Sequence, residues 1–524
     1  MKKLLLSFYA LAMVITANSQ SLNLIGHMSY TGTCAGVWDY VDSLNNEYAI
    51  VGVSDKVSIV DVTNPAAPVE RFSVPALSGQ TSLWRELKTW NKHAYAVSEG
   101  GGGVICIDLS HLPDTVTYNH WYGDSAISGL IADAHTIAAT DGYIYVFGAT
   151  GVSPGGCIIA DISDPMNPHF TGLYTENYIH DGYIRNDTLW AGEIYLGQFS
   201  VIDVTDKSNP VLITATTTPS AFTHNVWLSD DGTHAFTTDE HTDAPLVSFN
   251  VSDLTNIQLE DIYVTDSLPS REVHNVRVLN DYLINPSYGS QLTIVDAAHP
   301  DNLIEIARAP TIFNGSNPGL CWDASPYLPS GNILVTDING GLFIFQPDYQ
   351  RACYLEGTIT DSMTGVAIPN TLVEIISTVQ QTQSSLAGIY KTGTGAAGTF
   401  DVTFSKTGYQ PKTYTGITLS HGITTTLNAQ LVAITTVAEN VFTTSIEVNP
   451  NPFSNSFVLK LNAETITPST VIQLFDVTGK MVFEQNITSP ETNINLPLWI
   501  GSGLYNARIN GTGKKMESIR LVKN

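Results

Sequence analysis

The sequence predicts an all-β protein, a seven-bladed β-propeller followed by two small β-sandwich domains. Three observations predict it. The 524-residue chain holds 41 Gly and 23 Tyr but is only 14% charged, which is the composition of β-rich exported proteins and leaves little room for helix. An alternating apolar strand ending in an acid recurs through the first two thirds of the chain. Beyond residue 350 the text changes twice, each time to short alternating strands with Gly-centred turns.

The N-terminus comes first. Lys2 and Lys3 precede an apolar run from Leu4 to Ile15, and small residues at Ala17 and Ser19 give the spacing of a signal-peptidase site, so residues 1–19 are expected as a signal peptide. That run is too short to span a bilayer and no later stretch is long enough, so no transmembrane segment is expected. Five cysteines remain without CxxC spacing, and Cys34 with Cys321 is the favoured disulfide pair.

Residues 20–349 carry the repeat. Its clearest copies are Val57-Ser-Ile-Val-Asp61-Val-Thr-Asn-Pro65, Val104-Ile-Cys-Ile-Asp108, Cys157-Ile-Ile-Ala-Asp161-Ile-Ser-Asp-Pro165 and Phe199-Ser-Val-Ile-Asp203-Val-Thr-Asp. Weaker copies end at Asn250, Asp296 and Gln346, and successive landmarks lie 42 to 53 residues apart, the length of a four-stranded blade. Hairpins turning at Asp141-Gly142 and Asp231-Gly232 precede the landmark strand, and outer strands such as 69–74 and 303–307 follow it. The last copy lacks an outer strand, whereas Leu22-Asn-Leu-Ile-Gly-His-Met28 is an outer strand lacking a blade. Pairing the two closes the ring and hides both edges.

Through Gly36-Val-Trp38-Asp, Tyr48-Ala-Ile-Val-Gly, Leu83-Trp-Arg85-Glu, Val204-Thr-Asp-Lys-Ser-Asn-Pro210 and Asp337-Ile-Asn-Gly-Gly-Leu-Phe343, residues 30–347 resemble the LVIVD-repeat surface proteins called choice-of-anchor B. The resemblance implies a propeller but no assigned reaction.

Residues 350–435 follow, with Glu356-Gly-Thr-Ile-Thr-Asp361-Ser-Met-Thr-Gly365 and Gly398-Thr-Phe-Asp-Val-Thr-Phe. They read as a β-sandwich and resemble a carboxypeptidase-regulatory-like, transthyretin-type domain, whose usual role is as a spacer. Gly393-Thr-Gly395-Ala-Ala-Gly398 matches the dinucleotide pattern, but without the strand-to-helix context that pattern needs. Residues 436–524 contain Val448-Asn-Pro-Asn-Pro452-Phe, Leu474-Phe-Asp-Val-Thr-Gly479-Lys, Gly503-Leu-Tyr505 and Lys514-Lys515. In order and spacing these resemble the type A C-terminal sorting domain of the type IX secretion system. That resemblance implies the type IX machinery as a partner and an extracellular or outer-membrane-surface location in a Gram-negative bacterium, after export to the periplasm.

A net charge of −26 repels phosphate backbones, so nucleic acid is excluded as a partner. HExxH, P-loop, GxSxG and EF-hand motifs are absent. One blade phase carries chemistry. Counting back from each landmark reaches Trp38, Arg85, His135, His180, His224, His274 and Trp322, four of them histidines in consecutive blades. This phase opens the innermost strand, so the four imidazoles are expected near the channel axis. The next loop brings Glu99, Glu193, Asp239, Glu240 and Asp337 to the same face, with Glu193 and Asp239 as candidate further ligands or general bases. Imidazoles with carboxylates suit a transition metal such as Zn, Cu or Fe. The competing reading is a polar channel holding water. Ser-His-Asn and Thr-His-Asp motifs recur in the family, and Ala134-His135-Thr136 departs from them. With no complete catalytic motif, the expected function is a surface module binding a protein, glycan or small ligand. The alternative is a metal-dependent hydrolase or oxidase built on the four histidines.

Overall fold

The computed structural model describes residues 22–524 except 78–79, 265–271, 290, 314–319, 435–445, 462–465 and 511–516. The expected signal peptide at 1–19, and Lys514 and Lys515 of the tail, lie outside the described residues. The protein is all-β, and among the described residues a three-residue 3-10 turn at Ser125–Ile127 is the one helical element. No described helix is long and apolar enough to cross a membrane. The chain divides into two compact units, residues 1–434 and 435–524.

In the first unit, seven antiparallel sheets follow one another between residues 22 and 347 as the blades of a β-propeller. Blades 1 to 6 occupy residues 34–75, 85–121, 136–174, 181–217, 223–263 and 272–310, each running in chain order from its inner to its outer strand. The seventh sheet combines Cys321–Ser325, Ile333–Asp337 and Gly341–Pro347 with the N-terminal strand Leu22–Met28, which pairs antiparallel to Gly341–Pro347 from Leu22↔Pro347 to Met28↔Leu342. The ring is thus closed by the strand expected to close it, which covers the outer edge of Gly341–Pro347.

The repeat acid explains itself locally. In blades 1 to 6 the landmark side chain accepts the backbone N–H two residues on, as in Ser110 N to Asp108 at 2.8 Å, Thr205 N to Asp203 at 2.8 Å and Ser252 N to Asn250 at 3.1 Å. Each ends its strand with an Asx turn, a role Asp and Asn share and few other residues can fill. The alternating apolar residues before the acid pack on both neighbouring blades. Ile144, Val146 and Ile158 of blade 3 meet Tyr95, Val104 and Cys106 of blade 2, while Tyr145, Phe147 and Ile159 meet Leu189, Ala191 and Ile202 of blade 4. Each such side chain contributes about 1.5–3 kcal/mol by leaving water. Near the axis the strands approach closely, and a Cβ on Gly192 would lie 2.5 Å from the His224 carbonyl oxygen.

All five cysteines are free thiols, so the expected Cys34–Cys321 disulfide does not form. Strand alternation separates them. Cys34 packs with Leu334, Leu342 and Ile344 on one face of blade 7, and Cys321 with Val335, Phe343 and Phe345 on the other.

The sandwich packs on blade 6. Its sheets are built on Cys353–Asp361 and on Gly398–Ser405, around a core of Leu355, Val373, Val402 and Phe404. The blade 6 landmark, Asp296, is fully buried and receives Arg351 Nη1 at 2.7 Å, Ala352 N at 2.6 Å and the Tyr354 hydroxyl at 2.7 Å. One repeat acid thereby fixes the start of the next domain. The second unit is a separate sandwich of a three-stranded and a four-stranded sheet around Phe457, Leu459, Ile472, Leu474 and Leu521.

Candidate metal centre in the propeller channel

The start of each inner strand places one residue at one mouth of the channel. These are Arg85, His135, His180, His224, His274 and Trp322 in blades 2 to 7, with Ala35 in blade 1. Trp38 does not occupy this level. The inner strand of blade 1 shifts register between Cys34 and Val37, and Ala35 O accepts the Thr336 hydroxyl as His274 O accepts that of Thr238. Trp38 lies three residues further along, at the other mouth.

The four imidazoles form a continuous arc. Ring centroids are 4.0 Å apart for His135 and His180, 4.4 Å for His180 and His224, and 4.2 Å for His224 and His274, and Trp322 ends the arc 4.5 Å from His274. All four are buried. Two of them have fixed tautomers. His135 Nδ1 donates to the Glu99 carboxylate at 2.6 Å and His274 Nδ1 donates to Trp322 O at 2.6 Å, which leaves Nε2 of each ring as a lone pair. The Nδ1 atoms of His180 and His224 are buried and have no hydrogen-bond partner among the described residues. Burial, then the neighbouring imidazoles, hold the pKa of both His180 and His224 well below the usual value of 6.5, and burial also lowers that of His274. At neutral pH these rings are neutral, the form that ligates metal.

Glu240 supplies the carboxylate. Its oxygens stand 3.8 Å from His224 Nε2 and 3.7 Å from His274 Nε2, too long for hydrogen bonds. Two ligands on one ion, each bonded at about 2.0–2.2 Å, stand roughly 3–4 Å apart, and these separations match that spacing. One ligand atom from each of His180, His224 and Glu240 fits within 4.8 Å of the others. Tyr288 donates its hydroxyl to Glu240, with its ring 4.7 Å from that of His274.

Glu193 and Asp239 take no part in the arc. Glu193 is fully buried and accepts Gln198 Nε2 at 2.6 Å and Asn177 Nδ2 at 3.1 Å. Asp239 accepts the Thr218 hydroxyl at 2.5 Å and Ser220 N at 2.7 Å. Both end their second strand and are turned into the loops they cap, whereas Glu240, one residue later, faces the axis. Asp337 is likewise held by Thr311 and Gly340 N. His241 stays in its loop, with Nδ1 on Thr242 O.

Below the arc the residues following the histidines form a polar belt. Asn225 Nδ2 donates to Asp181 at 2.6 Å, Asn275 Nδ2 to Asp323 at 3.2 Å, Val276 N to Asn225 Oδ1 at 3.1 Å, and Trp322 Nε1 crosses the channel to Glu86 at 2.5 Å. Burial, and then Asp323, push the Glu86 carboxyl up to about 7. Arg277 pairs with Asp323 at 2.8 Å and is buried, beside the half-buried Lys88. A cavity of about 10 Å³, room for about one water, lies between the arc and these cations. The channel is therefore plugged at mid-depth.

Family models match three parts of the chain. Residues 43–75 and 132–176, which fall in blades 1 and 3, match the family model of the LVIVD repeat. The chain carries LVIVD repeats. Residues 354–432 match the carboxypeptidase regulatory-like domain and residues 447–524 the secretion system C-terminal sorting domain. A sorting domain of this kind addresses a chain to the secretion machinery and to the outer-membrane surface or beyond. Among solved structures, the β-propeller domain of Myceliophteria thermophila Cps50 (Swd1) is similar at 13% identity, covering 63% of this chain and 100% of that one with a TM-score of 0.44. No curated protein matches.

Proposed function

We propose that this is an exported surface protein whose LVIVD propeller binds one first-row transition ion at the mouth of its channel. The proposed domains are a signal peptide at 1–19, a seven-bladed propeller at 20–349, a spacer sandwich at 350–435 and a type A sorting domain at 436–524. The observation that carries the metal reading is the placement of Glu240 3.7 and 3.8 Å from two buried, neutral imidazoles. His180, His224 and Glu240 are the proposed ligands, with Nε2 of His274 and His135 presented by their own hydrogen bonds as the remaining donors. A donor set of imidazoles and a carboxylate suits Zn, Cu or Fe. Glu193 and Asp239 are engaged elsewhere and assigned no chemistry, so the proposal is ion binding and not a reaction.

Metal content of the purified full-length protein tests this. The expected result is about one ion per chain that survives dialysis, is removed by a strong chelator and is lost in His224→Ala. Metal-free protein that takes up none of Zn, Cu or Fe would overturn the proposal.

A further inference from the structure

The opposite mouth of the channel is built quite differently. Three residues along the inner strands from the histidine level, the same phase places Trp38, Lys88, Tyr183, Trp227 and Arg277. Of these, Trp38, Tyr183 and Trp227 line, with Tyr327 of blade 7, an open cavity of about 390 Å³, whose lining also includes Asp39, Asp230 and Arg185. The volume falls at the small end of ligand pockets, which span about 300–1,000 Å³. The four rings form one contiguous surface. Tyr183 lies 4.3 Å from Trp227, Trp227 is stacked at 6.5 Å and 20° on Tyr327, and Tyr327 lies 5.4 Å from Trp38. All four are partly exposed, and neither indole N–H has an acceptor among the described residues.

From this chemistry we infer that the aromatic mouth is a binding site for a neutral saccharide. An aromatic cup could serve a cation, an anion or a neutral ring, and the surroundings decide between them. The buried faces of the indoles already carry cations, with Arg277 Cζ 4.9 Å from the Trp227 centroid and Lys88 Nζ 4.2 Å from that of Trp38. A cationic ligand would meet rings whose other faces are already taken by Arg277 and Lys88. An anion would meet Asp39 and Asp230, with Arg185 already engaged by the Ser229 and Asp230 carbonyls, on a chain of net charge −26. A sugar ring presents apolar C–H faces for the rings and hydroxyls for the rim carboxylates and indole N–H groups, with no net charge to repel. The rim is also set in place. Arg185 donates to Ser229 O at 2.7 Å and Asp230 O at 2.5 Å, which fixes the turn bearing Asp230, and Asp39 accepts the Ser325 hydroxyl at 2.5 Å. Because the channel is plugged at mid-depth, this site is separate from the histidine arc.

Tryptophan fluorescence and calorimetric titration of the full-length protein test the inference. The probes are maltohexaose, cellohexaose, mannohexaose and chitohexaose, with a trimethyllysine peptide and sialyllactose as cationic and anionic competitors. At least one neutral hexaose is expected to bind in the micromolar to millimolar range. Trp227→Ala is expected to weaken that binding by about tenfold or more, with Trp227→Phe retaining part of it and His224→Ala leaving it unchanged. Should Trp227→Ala fail to fold, the exposed-rim variant Asp230→Asn carries the test, with weakened binding expected. Failure of all four hexaoses at millimolar concentration, tighter binding of either charged probe, or binding unmoved in the Trp227 and Asp230 variants would each overturn the inference.

Discussion

The two mouths of the propeller channel are made by the same seven inner strands, three residues apart, yet they solve opposite electrostatic problems. At one mouth four imidazoles converge, those of His180, His224 and His274 held neutral by burial, and Glu240 reaches in from a loop, so the positive charge that would balance the carboxylate is left to be bound. At the other, Arg277 is a permanent cation already faced by Asp323 and Trp227, and Lys88 lies over the ring of Trp38. The contrast teaches that a propeller phase fixes where a side chain points and leaves its chemistry to each blade.

The largest expected effect breaks the cationic end. Arg277→Ala strips the partner from a carboxylate buried at the axis and is expected to cost about 3–5 kcal/mol in chemical denaturation. Much of that loss should return in Arg277→Met combined with Asp323→Asn, because the uncompensated charge is then gone. A loss within about 0.5 kcal/mol for the single variant would mean that the mid-channel pair is solvated.

The histidine end should respond to other changes. Glu240→Gln is expected to weaken ion binding by at least about 100-fold, and Tyr288→Phe, which only orients that carboxylate, by about tenfold. Competition with a chromogenic chelator checks both. Neither variant should change the unfolding midpoint of the metal-free protein as Arg277→Ala does.

pH sharpens the comparison further. His180, His224 and His274 have folded pKa values below the usual 6.5, so the unfolded chain binds more protons as pH falls. Their contribution to stability is therefore complete above 6.5 and is lost progressively as pH drops below it. Urea midpoints of the metal-free protein should decline between neutral pH and about pH 5, less steeply in His224→Gln. A flat profile would contradict the burial of neutral rings. The smallest effect is reserved for a landmark that touches neither mouth. Asp161→Ala removes an Asx turn at the end of its strand and should cost about 1 kcal/mol or less, with ion binding intact.

Much of this was legible in the sequence because blades repeat. The landmark acids mark strand ends, and their recurrence located the closing strand at Leu22–Met28 and the phase that gathers His135, His180, His224 and His274. What the phase missed follows from departures from regularity. A bulge between Cys34 and Val37 puts Ala35 where Trp38 was expected. Glu240 takes the place anticipated for Glu193 or Asp239 because a loop turns one residue later than the strand ends, which spacing cannot reveal. Cys34 and Cys321 are close in the ring order but face opposite sides of one sheet. The aromatic mouth was within reach, since the phase test extended by three residues finds Trp38, Lys88, Tyr183, Trp227 and Arg277.

Anomalous diffraction at the absorption edge of the bound metal, from crystals of the full-length protein, tests the central claim most directly. The account predicts a single peak between His180, His224 and Glu240, about 2.0–2.2 Å from a nitrogen of each ring and a carboxylate oxygen. Ordered water bridging the imidazoles to Glu240, with no anomalous peak in protein incubated with Zn, Cu or Fe, would contradict it.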